Sequence, residues 1–179
     1  MVRTLLLTFV FLLIATPALA QISPEMQIKL ALQAAPEEAR AGATVQGYND
    51  AGDFVTLREG TNDLICMAPD PAANRLEVSC HHESLEPYFK RGRELSAAGV
   101  TGQERMKTRW EEVEAGTLPL PSGITNTILV GTGYDEDTGE ITDPFIRWVV
   151  YMPGATGASV GLPERPAGPG APWVMFPGP

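Results

Sequence analysis

The sequence predicts an α+β fold, an antiparallel sheet with helices packed on one face and pinned by one disulfide. Three observations carry that expectation. Residues 54 to 80 read as three short strands, Phe54 to Arg58, a second ending at Met67 and a third from Arg75 to Cys80, with turn residues at Glu59 to Asn62 and at Ala68 to Asn74 between them. Residues 84 to 115 change to helical spacing, and residues 126 to 152 return to strand spacing. The only two cysteines, Cys66 and Cys80, stand near the ends of the second and third strands, so this stretch reads as a stapled antiparallel meander.

The first 20 residues read as a secretory signal: Arg3, an apolar run from Leu5 to Ala15, and the small-x-small site Ala18-Leu19-Ala20 before Gln21. The run is too short to span a bilayer, so no transmembrane segment is expected once the signal is cleaved. No cysteine follows the cleavage site, which gives no support to a lipid anchor. From 179 residues, loss of the signal leaves 159, enough for one domain with a real core, placed at 21 to 152 and followed by a Gly/Pro-rich segment from 153 to 179. The expected location is periplasmic or extracellular.

Removal of Arg3 leaves 12 basic residues against 22 acidic ones. Such a surface repels phosphate backbones and has no basic stripe, which argues against nucleic acid as a partner. Two cysteines in an exported chain read as a disulfide. Closing the thirteen residues between Cys66 and Cys80 stabilises the fold by roughly 3 kcal/mol through the entropy of the unfolded chain. The rival reading, two free thiols on a metal, lacks the close cysteine spacing of zinc sites.

Ser23 reads as an N-cap with Pro24 as the first helical residue and Glu25 at the positive end of the dipole. The helix carries Met26, Ile28, Leu30 and Ala31 until Pro36 ends or bends it, with a further turn from Pro36 to Arg40. Ala43 to Tyr48 and Phe54 to Arg58 then form a hairpin turned by Asn49-Asp50-Ala51-Gly52. Leu85, Tyr88, Phe89, Gly92 and Leu95 recur at spacings of three and four and define a second helix ending near Gly99. Thr101 and Glu104 read as a capping box opening a third, whose stripe is Met106, Trp110 and Val113 and whose surface carries a Lys107–Glu111 pair. Asn126 to Thr132 and Asp143 to Met152 are a second hairpin. From Pro153 to Pro179, 13 of 27 residues are Pro or Gly, so the chain there is mostly irregular apart from an edge strand at Trp173 to Phe176.

The run Leu57-Arg-Glu-Gly-Thr-Asn62, followed by Cys66-Met67, with Ala34-Ala35-Pro36 upstream and Val174-Met175-Phe176 near the end, resembles an uncharacterised family of exported bacterial proteins. The resemblance covers about a third of the mature chain in short motifs. It implies export and a cysteine-containing core, and it brings no activity, cofactor or catalytic residue.

Four clusters hold polar chemistry. Arg58, Glu59, Thr61 and Asn62 surround Gly60 on a stapled hairpin, and read equally as a recognition loop or as residues a tight turn needs. His81, His82 and Glu83 follow Cys80 and include both histidines of the chain; they could hold a metal or exchange protons, but adjacent histidines on a strand point to opposite faces. Asp135-x-Asp137-x-Gly139 suggests a calcium loop but has glycine at the fifth position and Ile146 at the twelfth, so a solvated turn fits better. Gly157-Ala-Ser159-Val-Gly161 matches a nucleophile elbow, yet both histidines lie upstream and Pro163, Pro166 and Gly168 forbid a helix after it.

With no complete catalytic constellation, the reading is an exported, non-catalytic module that binds a small ligand or a protein through the loop at Glu59 to Asn62 and the late Gly/Pro-rich segment. The alternative is a hydrolase-like or metal-assisted enzyme using His81, His82 and Glu83. No cofactor is expected.

Overall fold

A computed structural model describes residues 22–161 and 173–178 of the chain; the signal segment lies outside them. Helix α1, Pro24–Ala31, starts where Ser23 Oγ accepts from Met26 N–H at 3.2 Å. It tightens into a 3-10 turn, Leu32–Ala34, and after Pro36 a second 3-10 helix, Glu37–Gly42, leads into the sheet. The strands are β1 Thr44–Tyr48, β2 Phe54–Arg58, β3 Leu64–Met67, β4 Leu76–His82, β5 Ile124–Gly131, the short β6 Gly133–Tyr134 and β7 Ile141–Thr142, β8 Phe145–Tyr151 and β9 Trp173–Pro177. Helices α2, Glu86–Ala97, and α3, Gly102–Glu114, stand between β4 and β5, and a single turn, α4 Gly157–Val160, follows β8. No helix among the described residues is long and apolar enough to cross a membrane.

The main sheet has the order β2-β1-β3-β4-β5-β8-β9. Every pairing is antiparallel except β1 with β3, which is parallel. The α+β class and the disulfide are as expected. The meander is not: β1 inserts between β2 and β3. Residues 59 to 63 carry the chain across the end of β1, held there because Thr61 and Asn62 N–H donate to Gly42 O at 2.7 and 3.0 Å. Gly60 makes the crossing possible, since a Cβ there would lie 2.3 Å from Thr44 N and 2.4 Å from Gly42 O.

The helices also depart from the expected single face. Cross-strand register sets the residues out in rows. Val78 faces Leu129, which faces Ile146, and Cys80 faces Cys66 and Thr127; these lie on the first face. There α1 and the turn after it bury Leu30, Ala31, Ala34 and Ala35 against Val45, Cys66, Val78, Cys80 and Leu129. One residue along, His81 faces Asn126, which faces Val149, and these belong to the second face. On that side Leu85 and Tyr88 of the α2 region pack with Leu118, Leu120, Val149 and Tyr151. The chain reverses side through the turn after His82, so two separate cores flank one sheet. Strand burial in β4 explains why periodicity missed this: four consecutive residues, Val78 to His81, are buried, as in a strand covered on both faces.

The capping box at Thr101 is absent too. Thr101, at φ −128° and ψ 172°, makes no side-chain cap bond, and Gly102 opens α3 at φ +57°. The Lys107–Glu111 pair is present at 3.5 Å. The second hairpin forms as expected through β5 and β8, and β9 adds as an edge strand on β8.

Candidate functional site

The most concentrated polar chemistry sits where β4 meets α2. His81 has no exposed surface, and its Nε2 lies 3.1 Å from Glu86 Oε2. The other carboxylate oxygen of Glu86 accepts from the Arg93 guanidinium. Phe89 stacks on the imidazole with centroids 4.3 Å apart and planes at 21°. Arg93 in turn covers the Phe54 ring at 4.6 Å and donates to Met67 Sδ at 3.7 Å. The local sequence dictates this. His82 ends the strand, a single 3-10 turn, Glu83–Leu85, reverses the chain, and Glu86 opens α2 directly over the residue five positions back. Glu86 and Arg93, seven apart, share one face of α2.

Burial pulls the His81 pKa below 6.5, against the pull of the Glu86 carboxylate in the other direction. Glu86 is held below 4.5: burial would raise it, but the His81 and Arg93 contacts outweigh that. Both shifts agree with a neutral imidazole whose Nε2–H donates to an ionised carboxylate. Nδ1 is then an acceptor, buried and without a partner among the described residues. A histidine and carboxylate at this distance can act as an oriented general base only if the far nitrogen reaches a substrate. Here the far nitrogen is enclosed, so the arrangement ties β4, β3, β2 and α2 together.

The other sequence-predicted residues are distributed as follows. His82 lies on the opposite face from His81, with Nδ1 accepting from Ser84 N–H at 3.1 Å and Nε2 3.9 Å from Asp63. It caps the 3-10 turn, and Glu83 is exposed at the start of that turn. The two imidazoles therefore do not converge with Glu83, and no group of three metal-ligating side chains occurs among the described residues.

Arg58 turns inward: Nη2 donates to Arg40 O at 2.6 Å and to Ala43 O at 2.7 Å. Asn62 Nδ2 donates to Ala39 O at 2.9 Å while its Oδ1 accepts from Leu64 N–H at 3.1 Å. These two clamp the crossover loop to the 3-10 helix before β1; Arg58 is half-buried, and Glu59, Thr61 and Asn62 are exposed. The turn at Asp135 is self-satisfied, Oδ1 accepting from Asp137 and Thr138 N–H at 3.0 and 2.7 Å. Those backbone bonds to Thr138 hold its carboxyl below the ordinary value. Ser159 forms a true capping box with Thr156 on an exposed single turn. Cys66 and Cys80 are joined and both buried, directly opposite one another in the β3–β4 register.

Glu86 and Arg93 escaped the sequence reading. Their signal was the seven-residue spacing on a helix whose first turn follows a histidine-ended strand. It could have been weighed only by knowing which face of β4 the helix covers. Comparison of the chain with protein-family models, with curated proteins and with solved structures finds no match in any of the three.

Proposed function

We propose that the chain is an exported, disulfide-stapled binding module that engages a protein partner through the open end of the second sheet face, with the His81 centre serving as a joint of the fold. The exported location rests on the signal pattern at Arg3 to Ala20, on the motif-level resemblance, and on a disulfide that persists in oxidising compartments.

The observation that carries the binding surface is the pairing of Phe145 and Met175. They are 51% and 37% exposed, the large exposed hydrophobics among the described residues. Phe145 lies in the row of Glu77 and Val130, Met175 in the row of Val149, and Arg147 stands between them. The Arg147 guanidinium contacts Glu77 Oε2 at 3.2 Å, the same oxygen that Arg75 contacts. Two cations on one carboxylate leave a local positive charge beside apolar surface on an otherwise acidic protein. That chemistry suits a partner segment with an apolar side chain next to a carboxylate. The surface is built on strands rather than loops, so little ordering entropy opposes binding.

The test places a photo-reactive phenylalanine analogue at position 145, and at Thr138 as a control, in the protein as exported by its own cell. Adducts specific to position 145 and lost on Arg147→Glu support the surface. Equal adducts at both positions, or none at 145, would refute it. Mass spectrometry of the same material reads the export: a chain starting at Gln21, two hydrogens lighter than its reduced form, is expected.

A further inference from the structure

Six of the thirteen basic residues of the chain stand on α2 and α3: Lys90, Arg91, Arg93, Arg105, Lys107 and Arg109. Four are accounted for or fully solvated. Arg91 is bonded to Glu112, Arg93 to Glu86, Lys107 to Glu111, and Lys90 is exposed. Arg105 and Arg109 differ. They are four apart on one face of α3, half-buried against α2, and neither forms an ion pair among the described residues. Both are nevertheless fixed in place. Arg105 Nη1 donates to Ser96 Oγ at 2.6 Å. Arg109 Nη1 donates to Tyr88 O at 3.4 Å, and its guanidinium lies over the Tyr88 ring at 4.2 Å.

The seat for Arg109 is cut into α2 by Gly92, where a Cβ would come within 2.9 Å of Nη1. Each arginine keeps its Nη2 without an acceptor among the described residues, and the Nε of each is buried and unpartnered. Burial pulls the Arg109 pKa down and the like charge of Arg105 adds to that, against the opposing pull of Tyr88, Tyr151 and the Glu112 carboxylate, which is itself bonded to Arg91.

We propose that Arg105 and Arg109 form an oxyanion site at the α2–α3 seam, for a tetrahedral dianion of the phosphate or phosphomonoester class. Two guanidiniums one helical turn apart on α3, each held by neutral partners, offer forked donors and two positive charges on one face. A tetrahedral dianion matches both, whereas a monocarboxylate neutralises only one. Preorganisation by the Ser96 bond and the Tyr88 stack removes most of the rotamer entropy that free arginines would lose on binding. The site is distinct from the Phe145 and Met175 surface, so the failure of either leaves the other standing.

The test is calorimetric titration of the mature, oxidised protein with inorganic phosphate at constant ionic strength, with acetate as a comparison and glycerol 3-phosphate as a second phosphoryl source. Saturable phosphate binding is expected, weakened roughly tenfold or more in Arg105→Gln and in Arg109→Gln, and partly restored in Arg105→Lys. Tighter binding of glycerol 3-phosphate than of phosphate would assign the phosphoryl group to a larger ligand; equal binding would assign it to the free ion. The proposal is overturned if phosphate does not bind saturably, if acetate binds as well, or if Arg105→Gln binds like the parent. Arg105 is half-exposed and makes no direct contact with the Tyr88 ring, so its variant remains informative should Arg109→Gln disturb the helix pair.

Discussion

The two faces of the sheet are built from the same strands and hold different chemistry. On the first face, α1 covers Val45, Val78, Leu129 and the disulfide with small apolar side chains, and Ala31 O lies 3.4 Å from Cys80 Sγ. On the second, one residue along each strand, His81, Asn126 and Ser79 are buried beneath α2, accompanied by Glu86 and Arg93. Alternation gave the first face mainly apolar strand residues, with Gln27 of α1 as its buried polar group, and the second face an apolar cluster around Leu85 and Val149 joined by several buried polar side chains. A buried polar group is tolerated only where its partners are placed for it, so the second face tolerates substitution less per atom than the first.

Removing the staple should produce the largest effect. The double variant Cys66→Ala, Cys80→Ala is expected to lose about 3 kcal/mol in urea denaturation, mostly through a freer unfolded chain. His81→Ala comes next, at about 2–3 kcal/mol, because it empties an enclosed site and strips Glu86 of one donor. If it costs no more than His82→Ala, whose ring is exposed and only caps a turn, the contrast between faces fails. Arg58→Ala should lose about 1–2 kcal/mol by removing the guanidinium donor from the carbonyls of Arg40 and Ala43, measurable in the same denaturation series.

Acid should act on the second face. An unfolded imidazole protonates near 6.5, while the buried one resists until lower pH. Its contribution is therefore complete above 6.5 and falls away as the pH drops below that value. Glu86, depressed below 4.5, adds a further loss in the same direction once the pH falls under 4.5. Denaturation midpoints followed from pH 7 downward should decline in the parent and decline less steeply between 6.5 and 4.5 in His81→Asn. The smallest change is expected for Phe145→Ser, within about 0.5 kcal/mol of the parent in thermal unfolding, since the ring touches solvent more than core.

What the sequence made legible was local. Ser23 and Pro24 mark the start of α1, the apolar spacing from Leu85 to Leu95 marks α2, and the strands from Phe54 to Cys80 fall close to where alternation and turn residues put them. The placement of β1 between β2 and β3 was not legible, because it depends on a crossing at Gly60 that no local period records. The polar clusters were found by residue type, while their partners in the fold were not. Arg58 read as a binding group because a loop position suggests exposure, yet it is half-buried and bonded to carbonyls 15 and 18 residues away, while Asn62 stays exposed and bonds to Ala39 O, 23 residues away. Glu86 went unnoticed since nothing in the chain announces that it sits over His81.

The central claim is that His81 is an enclosed, neutral joint. Its most direct test is an NMR titration of the imidazole nitrogens in the oxidised mature protein from pH 8 downward. His81 is expected to hold its proton on Nε2, with no titration near 6.5, until the fold itself is lost. A His81 that takes up a second proton at or above 6.5 in the folded protein would contradict it, and would return this centre to the candidates for proton transfer.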